Sequence, residues 1–157
     1  MRTGRGLSIL VPLLAAGFAF AASASTPTRS ELRLAGLKID DPLALVHKNL
    51  GQPQRVIGAP GSGHAILLYP GLRIEMTRSG RVLMLKSTSS RYCTSSGVCP
   101  GKPLAEVRKR WGEGTTDEDA QGRGKISYDD IGGSSCFVEV EPDTSGRVVH
   151  SVGFACP

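Results

Sequence analysis

Two stretches of the chain, 36–51 and 97–112, share one pattern of glycine, proline and apolar residues. Each begins with a glycine, carries Pro-Leu-Ala near its middle and ends on a second glycine. Proline is tolerated at the first position of a helix, and glycine commonly follows the last one. We therefore predict two short helices that start at Pro42 and Pro103, with Asp41 placed to cap the first. Their predicted buried faces are Leu43, Val46 and Leu50 in the first helix and Leu104, Val107 and Trp111 in the second.

Strand patterns follow each predicted helix. Leu72, Ile74 and Met76 alternate with Arg73 and Glu75, as in a half-buried strand. Similar alternation covers 136–141, and 147–154 is the last predicted strand. The sequence thus predicts an α+β protein made of two tandem helix-plus-antiparallel-sheet repeats, with the helices on one face of the sheet. The first repeat is expected over 25–92 and the second over 93–157, together forming one compact unit.

The first residues have the features of a secretory signal peptide. Arg2 and Arg5 precede an apolar run over 7–22, and Ala22-Ser23-Ala24 is a small-residue cleavage site. The run is too short for a stable membrane span. We expect residues 1–24 to be removed, leaving no membrane span and a protein that is periplasmic or secreted. An uncleaved N-terminal anchor is the alternative.

Charge and aromatic content argue against nucleic acid as a partner. The chain has 19 basic and 14 acidic residues, and two of the basic ones lie in the predicted signal peptide. Only 5% of residues are aromatic, whereas single-stranded nucleic-acid binding usually uses stacking aromatics in a basic field. The basic run Arg108-Lys109-Arg110 could bind a polyanion, but the sequence favours a solvated helix end, where positive charge suits the helix dipole.

Four cysteines remain in the predicted mature chain: Cys93, Cys99, Cys136 and Cys156. An even count in an exported chain favours disulfides. Metal binding is the rival interpretation, but the chain has no Cys-x-x-Cys pair. Its three histidines, His47, His64 and His150, are scattered. Of the three possible connectivities, we favour Cys93–Cys99, which closes a small loop, and Cys136–Cys156, which joins two late strands.

No motif in the chain predicts catalysis, a cofactor or a bound metal. The segment 117–122 begins like a calcium loop, but Tyr128 stands where the bidentate acid belongs. The segment 97–102 is one residue short of a phosphate loop and is followed by a proline. Ser62 lies in a glycine-rich loop without the spacing of a nucleophile elbow. Asp129-Asp130 is better explained as a turn than as an acid–base pair.

The repeated helix pattern also resembles a known fold. Gly36, Val46 and Gly51, and again Gly97, Val107 and Gly112, follow the pattern of the β-lactamase-inhibitor-protein-like fold, which includes the SmpA/OmlA (BamE-like) envelope proteins. The tandem arrangement is most similar to the inhibitor. This resemblance implies a fold and a location outside the cytoplasm. It identifies no inhibitory residue, because the inhibitor's contact loops have no counterpart here.

These observations predict an exported, non-enzymatic binding protein that recognises a protein or a cell-envelope component through its sheet face and loops. The candidate contact residues are Arg73, Glu75, Glu139 and Glu141, together with the loop 58–63. One alternative is a structural or maintenance component of the bacterial envelope, of the BamE type. A small secreted hydrolase is a further alternative, and it would need a close cluster of His, Ser and Asp side chains.

Overall fold

The computed structural model describes residues 26–60, 63–118 and 124–156. The predicted signal peptide, 1–24, and Ser62 lie outside these ranges. A single 3₁₀ turn, Arg29–Glu31, precedes two α-helices and eight strands. The helices are α1 (Leu43–Leu50) and α2 (Leu104–Trp111). The strands are β1 (Arg55–Gly58), β2 (Ala65–Tyr69), β3 (Leu72–Met76), β4 (Val82–Ser87), β5 (Thr115–Glu118), β6 (Gly124–Tyr128), β7 (Phe137–Pro142) and β8 (Val149–Ala155).

All eight strands belong to one antiparallel sheet with the order β1-β2-β3-β4-β8-β7-β6-β5. The central pair is β4 and β8, in which Leu85 lies opposite Phe154. The two edges are β1 and β5, and every residue of both edge strands is exposed. Each half of the chain therefore supplies one edge strand and one central strand.

The predicted architecture of two tandem helix-plus-antiparallel-sheet repeats is wrong. The described residues form a single eight-stranded sheet accompanied by two helices of eight residues each. Backbone pairing runs without a break from Met84↔Ala155 to Ser87↔Val152, where the two predicted repeats would have had separate edges. The physical reason is that an unpaired edge leaves backbone donors and acceptors without partners, and pairing β4 with β8 removes two such edges. The same finding argues against the tandem fold implied by the inhibitor resemblance.

The core lies between one face of the sheet and the two helices. Val46 of α1 and Val107 and Trp111 of α2 are buried with the inward-facing strand residues in one cluster. The ring of Trp111 meets that of Tyr128 edge to face, with the centroids 5.5 Å apart. Both helices therefore pack on the same face. The inward-facing strand residues include Leu67, Leu72, Ile74, Leu85, Ile126, Val138, Val140, Val152 and Phe154.

The predicted cap of the first helix is wrong. The carboxylate of Asp41 accepts a hydrogen bond from the backbone N–H of Lys38 at 2.9 Å, so it closes the turn before the helix. The N-cap residue is Pro42, which is extended and has no side chain that could cap. The helix begins one residue later than predicted.

Two disulfides join Cys93 to Cys99 and Cys136 to Cys156. This is the pairing that the sequence favoured among the three possibilities. The second bridge follows from strand register, because Phe137 lies opposite Ala155 and the two cysteines are the next residues outward on β7 and β8. Among the described residues no cysteine is free. The described residues also contain no helix whose length and apolar character would let it cross a membrane.

Candidate functional site

The face of the sheet opposite the helices is the candidate site, and we call it the uncovered face. Side chains alternate along a strand, so the residues between the core positions project to this side. The four contact residues predicted from the sequence, Arg73, Glu75, Glu139 and Glu141, all lie on it, because each alternates with a buried neighbour. The predicted loop 58–63 lies beside β1 and is described only in part.

The strand register arranges the uncovered face into lateral rows. One row is dominated by polar and charged side chains and crosses all eight strands. Because directly opposed residues share a face, its members stand next to one another in order. We call it the polar row, and it consists of Arg55, Leu68, Arg73, Lys86, Gly153, Glu139, Ser127 and Thr115.

A second row runs beside it and is mainly apolar. Glu75 is its one charged member. Half-buried side chains such as Met84 and Phe137 leave part of their hydrocarbon surface in contact with solvent on this side. We call it the apolar row, and it consists of Ile57, Ile66, Glu75, Met84, Ala155 and Phe137.

Glu75 links the two rows through ion pairs. One of its carboxylate oxygens accepts hydrogen bonds from the guanidinium of Arg73, at 2.7 and 2.9 Å. Its other oxygen lies 3.1 Å from the Nε2 atom of His64. The Glu75 side chain is only 15% exposed, whereas that of Arg73 is 44% exposed. The acid is therefore held in place, and the arginine can reach outward.

On the other half of the face, two lysines pair with the two remaining predicted acids. The ammonium of Lys86 donates to Glu141 at 2.6 Å, and the hydroxyl of Ser151 donates to the second oxygen of the same carboxylate at 2.7 Å. Lys125 donates to Glu139 at 2.9 Å. This hydrogen bond and the negative charge of Glu139 raise the pKa of Lys125. The charges on the face are thus largely compensated within the protein.

A shallow depression marks the centre of the uncovered face. It forms at Gly153, where the absence of a side chain leaves a gap in the polar row. Met84, Lys86, Phe137 and Glu139 are among the residues around it, and its volume is about 10 Å³. A volume of this size holds about one water molecule. The depression is therefore not a pocket for an organic ligand.

The structure places the three histidines at separate positions. His47 lies on α1 and His150 on β8, whereas His64 contacts Glu75. Within the described residues no three His, Cys, Asp or Glu side chains come together as a metal site would require. Asp117 lies on the edge strand β5, and the rest of the calcium-like loop, from 119 onward, is outside the described ranges.

Sequence reasoning missed Lys86, Lys125 and the apolar row. The alternation of Met84 and Lys86 with buried Leu85 was visible in the sequence. What these residues meet depends on pairing between β4 and β8 and between β8 and β7, which lie far apart in the chain. No local pattern in the sequence carries that information.

Comparison with known proteins identifies similar structures but no family. No protein-family description matches the chain, and no curated protein matches it. One similar solved structure is a cysteine-rich secretory protein from Staphylococcus aureus, with a TM-score of 0.59 and 15% identity over 87% of this chain and 48% of that one. Another is an extracellular protein containing an SCP domain from Bacillus anthracis, with a TM-score of 0.53 and 9% identity over 91% of this chain and 50% of that one.

These similarities show a shared fold alone, because the identities are low. The chain spans about half the length of each of the two proteins. They also correct the resemblance drawn from the helix motif. The match to the β-lactamase-inhibitor-protein-like and SmpA/OmlA (BamE-like) fold is wrong, since the similar structures are these two proteins and the strands form one continuous sheet. A short helix pattern of glycine, proline and valine is too common to identify a fold.

Proposed function

We propose that this chain is an exported binding protein without enzymatic activity, and that it recognises a protein partner through the uncovered face. The observation that supports this most directly is the apolar row beside the polar row. A surface with exposed apolar side chains next to oriented charges is typical of protein–protein contacts.

The shape of the face favours a macromolecular partner over a small ligand. The depression at Gly153 holds only about one water molecule, and the larger hollow of about 280 Å³ beside Leu68, Arg73 and Lys86 is widely open to solvent. Phe137 and Met84 are aromatic and flexible apolar side chains of the kind enriched at interface centres. Arg73 is more exposed than its partner Glu75, at 44% against 15%, and could exchange Glu75 for a carboxylate of the protein partner.

Three observations support export. The two disulfides are typical of proteins in oxidising compartments. Residues 1–24 have the composition of a cleavable signal peptide. The two proteins of similar structure are described as secretory and as extracellular. A secreted location therefore has more support than a periplasmic one.

Site-specific photocrosslinking tests the proposed binding face. A photoreactive phenylalanine analogue replaces Phe137 in the apolar row, and the same analogue replaces Ala44 on the exposed side of α1 as the matched control. Each protein is mixed with the extracellular and envelope fractions of its source. We expect a saturable adduct from position 137 that unlabelled protein competes away, and none from position 44. An absent adduct at 137, or the same adduct from both positions, would overturn the proposal.

A further inference from the structure

A groove on the opposite side of the protein, beside α2, carries a concentration of basic side chains. It is an open hollow of about 540 Å³ between the exposed side of α2 and the turn that joins β7 to β8. Arg108 and Lys109 line it from the helix, and Arg147 lines it from the turn. The small side chain of Ala105, one helical turn before Lys109, leaves the hollow open.

Three cations and one acid line this groove. Arg108 pairs with Glu113 at 3.2 Å, but the two side chains are 43% and 80% exposed. An exposed pair of this kind contributes little free energy and exchanges readily. Among the side chains that the structure describes, neither Lys109 nor Arg147 forms an ion pair. The groove thus presents a surplus of positive charge.

The turn that carries Arg147 is held in a fixed conformation. The carboxylate of Asp143 accepts hydrogen bonds from the backbone N–H groups of Arg147 and Val148, both at 3.1 Å, and from the hydroxyl of Ser145 at 2.8 Å. The carbonyl of Arg147 in turn accepts the N–H of Leu104 at 2.8 Å. The backbone that presents the arginine is therefore in place before any ligand arrives, and Asp143 is occupied by its own turn.

The matching position beside α1 lacks these charges. There the N–H of Leu43 donates to the carbonyl of Gly80 at 3.0 Å, so a glycine stands where Arg147 stands beside α2. Its neighbour Arg81 turns its guanidinium to the carbonyl of Asp40 at 3.0 Å. In the aligned helix sequences, His47 takes the place of Arg108. The two helices share a scaffold, and the groove beside α2 alone has two arginines added to a common lysine.

We propose that the groove beside α2 binds a phosphate-bearing polymer. Guanidinium groups match the oxygens of phosphate in pairs, and lysine adds a mobile point charge. Arg147 lies at the start of the helix and Arg108 near its end, about 6 Å apart along the axis at the ordinary rise of a helix. A short chain of phosphates spans that distance better than a single ion. The groove and the uncovered face lie on opposite sides of the sheet, so this site is separate from the proposed partner surface.

Calorimetric titration of the full chain with short inorganic polyphosphate tests the assignment. The variant Lys109→Ala/Arg147→Ala removes two cations from the groove. The control Lys48→Ala/Arg78→Ala removes the same charge from exposed positions on α1 and on the turn that follows β3. We expect the groove variant to bind about tenfold more weakly or worse, as the loss of charge-assisted contacts predicts. The control should stay within about twofold of the unmodified chain, apart from the general effect of net charge.

Several results would overturn the proposal. One is that the unmodified chain does not bind polyphosphate. Another is that the two double variants lose affinity for it equally. Binding to vesicles of anionic phospholipid without binding to polyphosphate would also overturn it, by assigning the groove to a membrane surface. Orthophosphate alone should compete weakly, and competition as strong as that of the polymer would count against a polymer site. Circular dichroism and thermal unfolding of both variants verify that each is folded.

Discussion

The phenol of Tyr128 donates a hydrogen bond of 2.9 Å to the carbonyl oxygen of Gly112, the residue that ends α2. Tyr69 makes the same contact with Gly51 at the end of α1, at 3.1 Å. The last carbonyls of a helix have no partner within it. Each tyrosine therefore ties the end of one helix to the strand beneath it.

Replacing Tyr128 by phenylalanine removes this hydrogen bond and keeps the aromatic ring against Trp111. We expect Tyr128→Phe to lower the free energy of unfolding by about 1 kcal/mol, the usual contribution of one buried hydrogen bond. Urea denaturation followed by the fluorescence of Trp111 measures it. Tyr92→Phe is the matched control, since the Tyr92 phenol forms no hydrogen bond with the residues that the structure describes. Equal stabilities of Tyr128→Phe and the unmodified chain would contradict the role assigned to the bond.

Because the pKa of Tyr128 is raised, we expect the folded state to lose stability at alkaline pH. Burial raises the pKa of Tyr128 to about 12, with Arg108 lowering it and Glu113 raising it to smaller extents. The unfolded chain has a tyrosine pKa near 10. Between these values the folded state holds the proton longer than the unfolded state, so the free energy of unfolding falls as pH rises.

We therefore expect the contribution of Tyr128 to be complete below about pH 10 and to be lost by about pH 12. Urea denaturation of the unmodified chain and of Tyr128→Phe at several alkaline pH values measures this contribution. The comparison separates the ionisation of Tyr128 from that of other groups. The variant should show a smaller decline. An identical decline in both proteins would assign the pH dependence to other groups.

The two disulfides should differ in their contributions to stability. The Cys136–Cys156 bridge spans 20 residues, and the Cys93–Cys99 bridge spans 6. Loop-closure entropy predicts about 3 kcal/mol for the longer bridge and about 2 kcal/mol for the shorter one. Urea denaturation of Cys136→Ser/Cys156→Ser and of Cys93→Ser/Cys99→Ser measures the two losses. A larger loss from the shorter bridge would show that native-state packing outweighs loop entropy here.

Gly153 borders the depression, but a Cβ atom added to it would crowd the neighbouring strand β4. A Cβ atom built there would lie 3.0 Å from the carbonyl oxygen of Leu85 and 3.2 Å from the Cβ of Lys86. We expect Gly153→Ala to lower the free energy of unfolding by about 1–3 kcal/mol, as overpacking does. Gly124→Ala is the control, because a Cβ at this strand glycine meets nothing within 4 Å in the described ranges. Thermal unfolding of both variants tests this expectation. Similar melting temperatures for the two variants would show that a side chain at position 153 does not destabilise the protein.

The edge strand β1 should promote self-association. Val56 and Ile57 are 45% and 41% exposed, the large apolar side chains most open to solvent in the described chain. The opposite edge, β5, carries Asp117 and Glu118, and charges on an edge discourage pairing. Val56→Lys should therefore reduce concentration-dependent association in sedimentation experiments, whereas Thr116→Lys on β5 should not. Equal effects would indicate a general influence of charge.

Local structure was largely predictable from the sequence, because its causes are local. The proline-led pattern placed both helices to within a residue, and alternation in Leu72–Met76 placed a half-buried strand. The cap was misassigned because Asp41 has two competing uses. Its carboxylate can accept the helix N–H groups or the N–H of Lys38, and the turn before the helix selects the second.

Long-range pairing was not predictable. The match between the two helix segments suggested two tandem repeats, but it contains nothing about how Leu85 and Phe154 pair. The candidate face was found in part, since Arg73 and Glu139 could be assigned to one side by alternation alone. The histidine partner of Glu75 and the lysine partners of Glu139 and Glu141 could be identified only once the strand pairing was known. The groove beside α2 could not be predicted either, because Arg147 and Arg108 line the same hollow only once the turn lies against the helix.

The pairing of β4 with β8 has a consequence for synthesis and transport of the chain. Strand β4 lies between β3, which is made just before it, and β8, which is the last of the described strands to leave the ribosome. Until then, β4 has an open edge and cannot complete its ladder. The centre of the sheet should therefore stay incomplete until β8 has been made. Such a delay would suit a polypeptide that must pass unfolded through a translocation channel before its cysteines are oxidised.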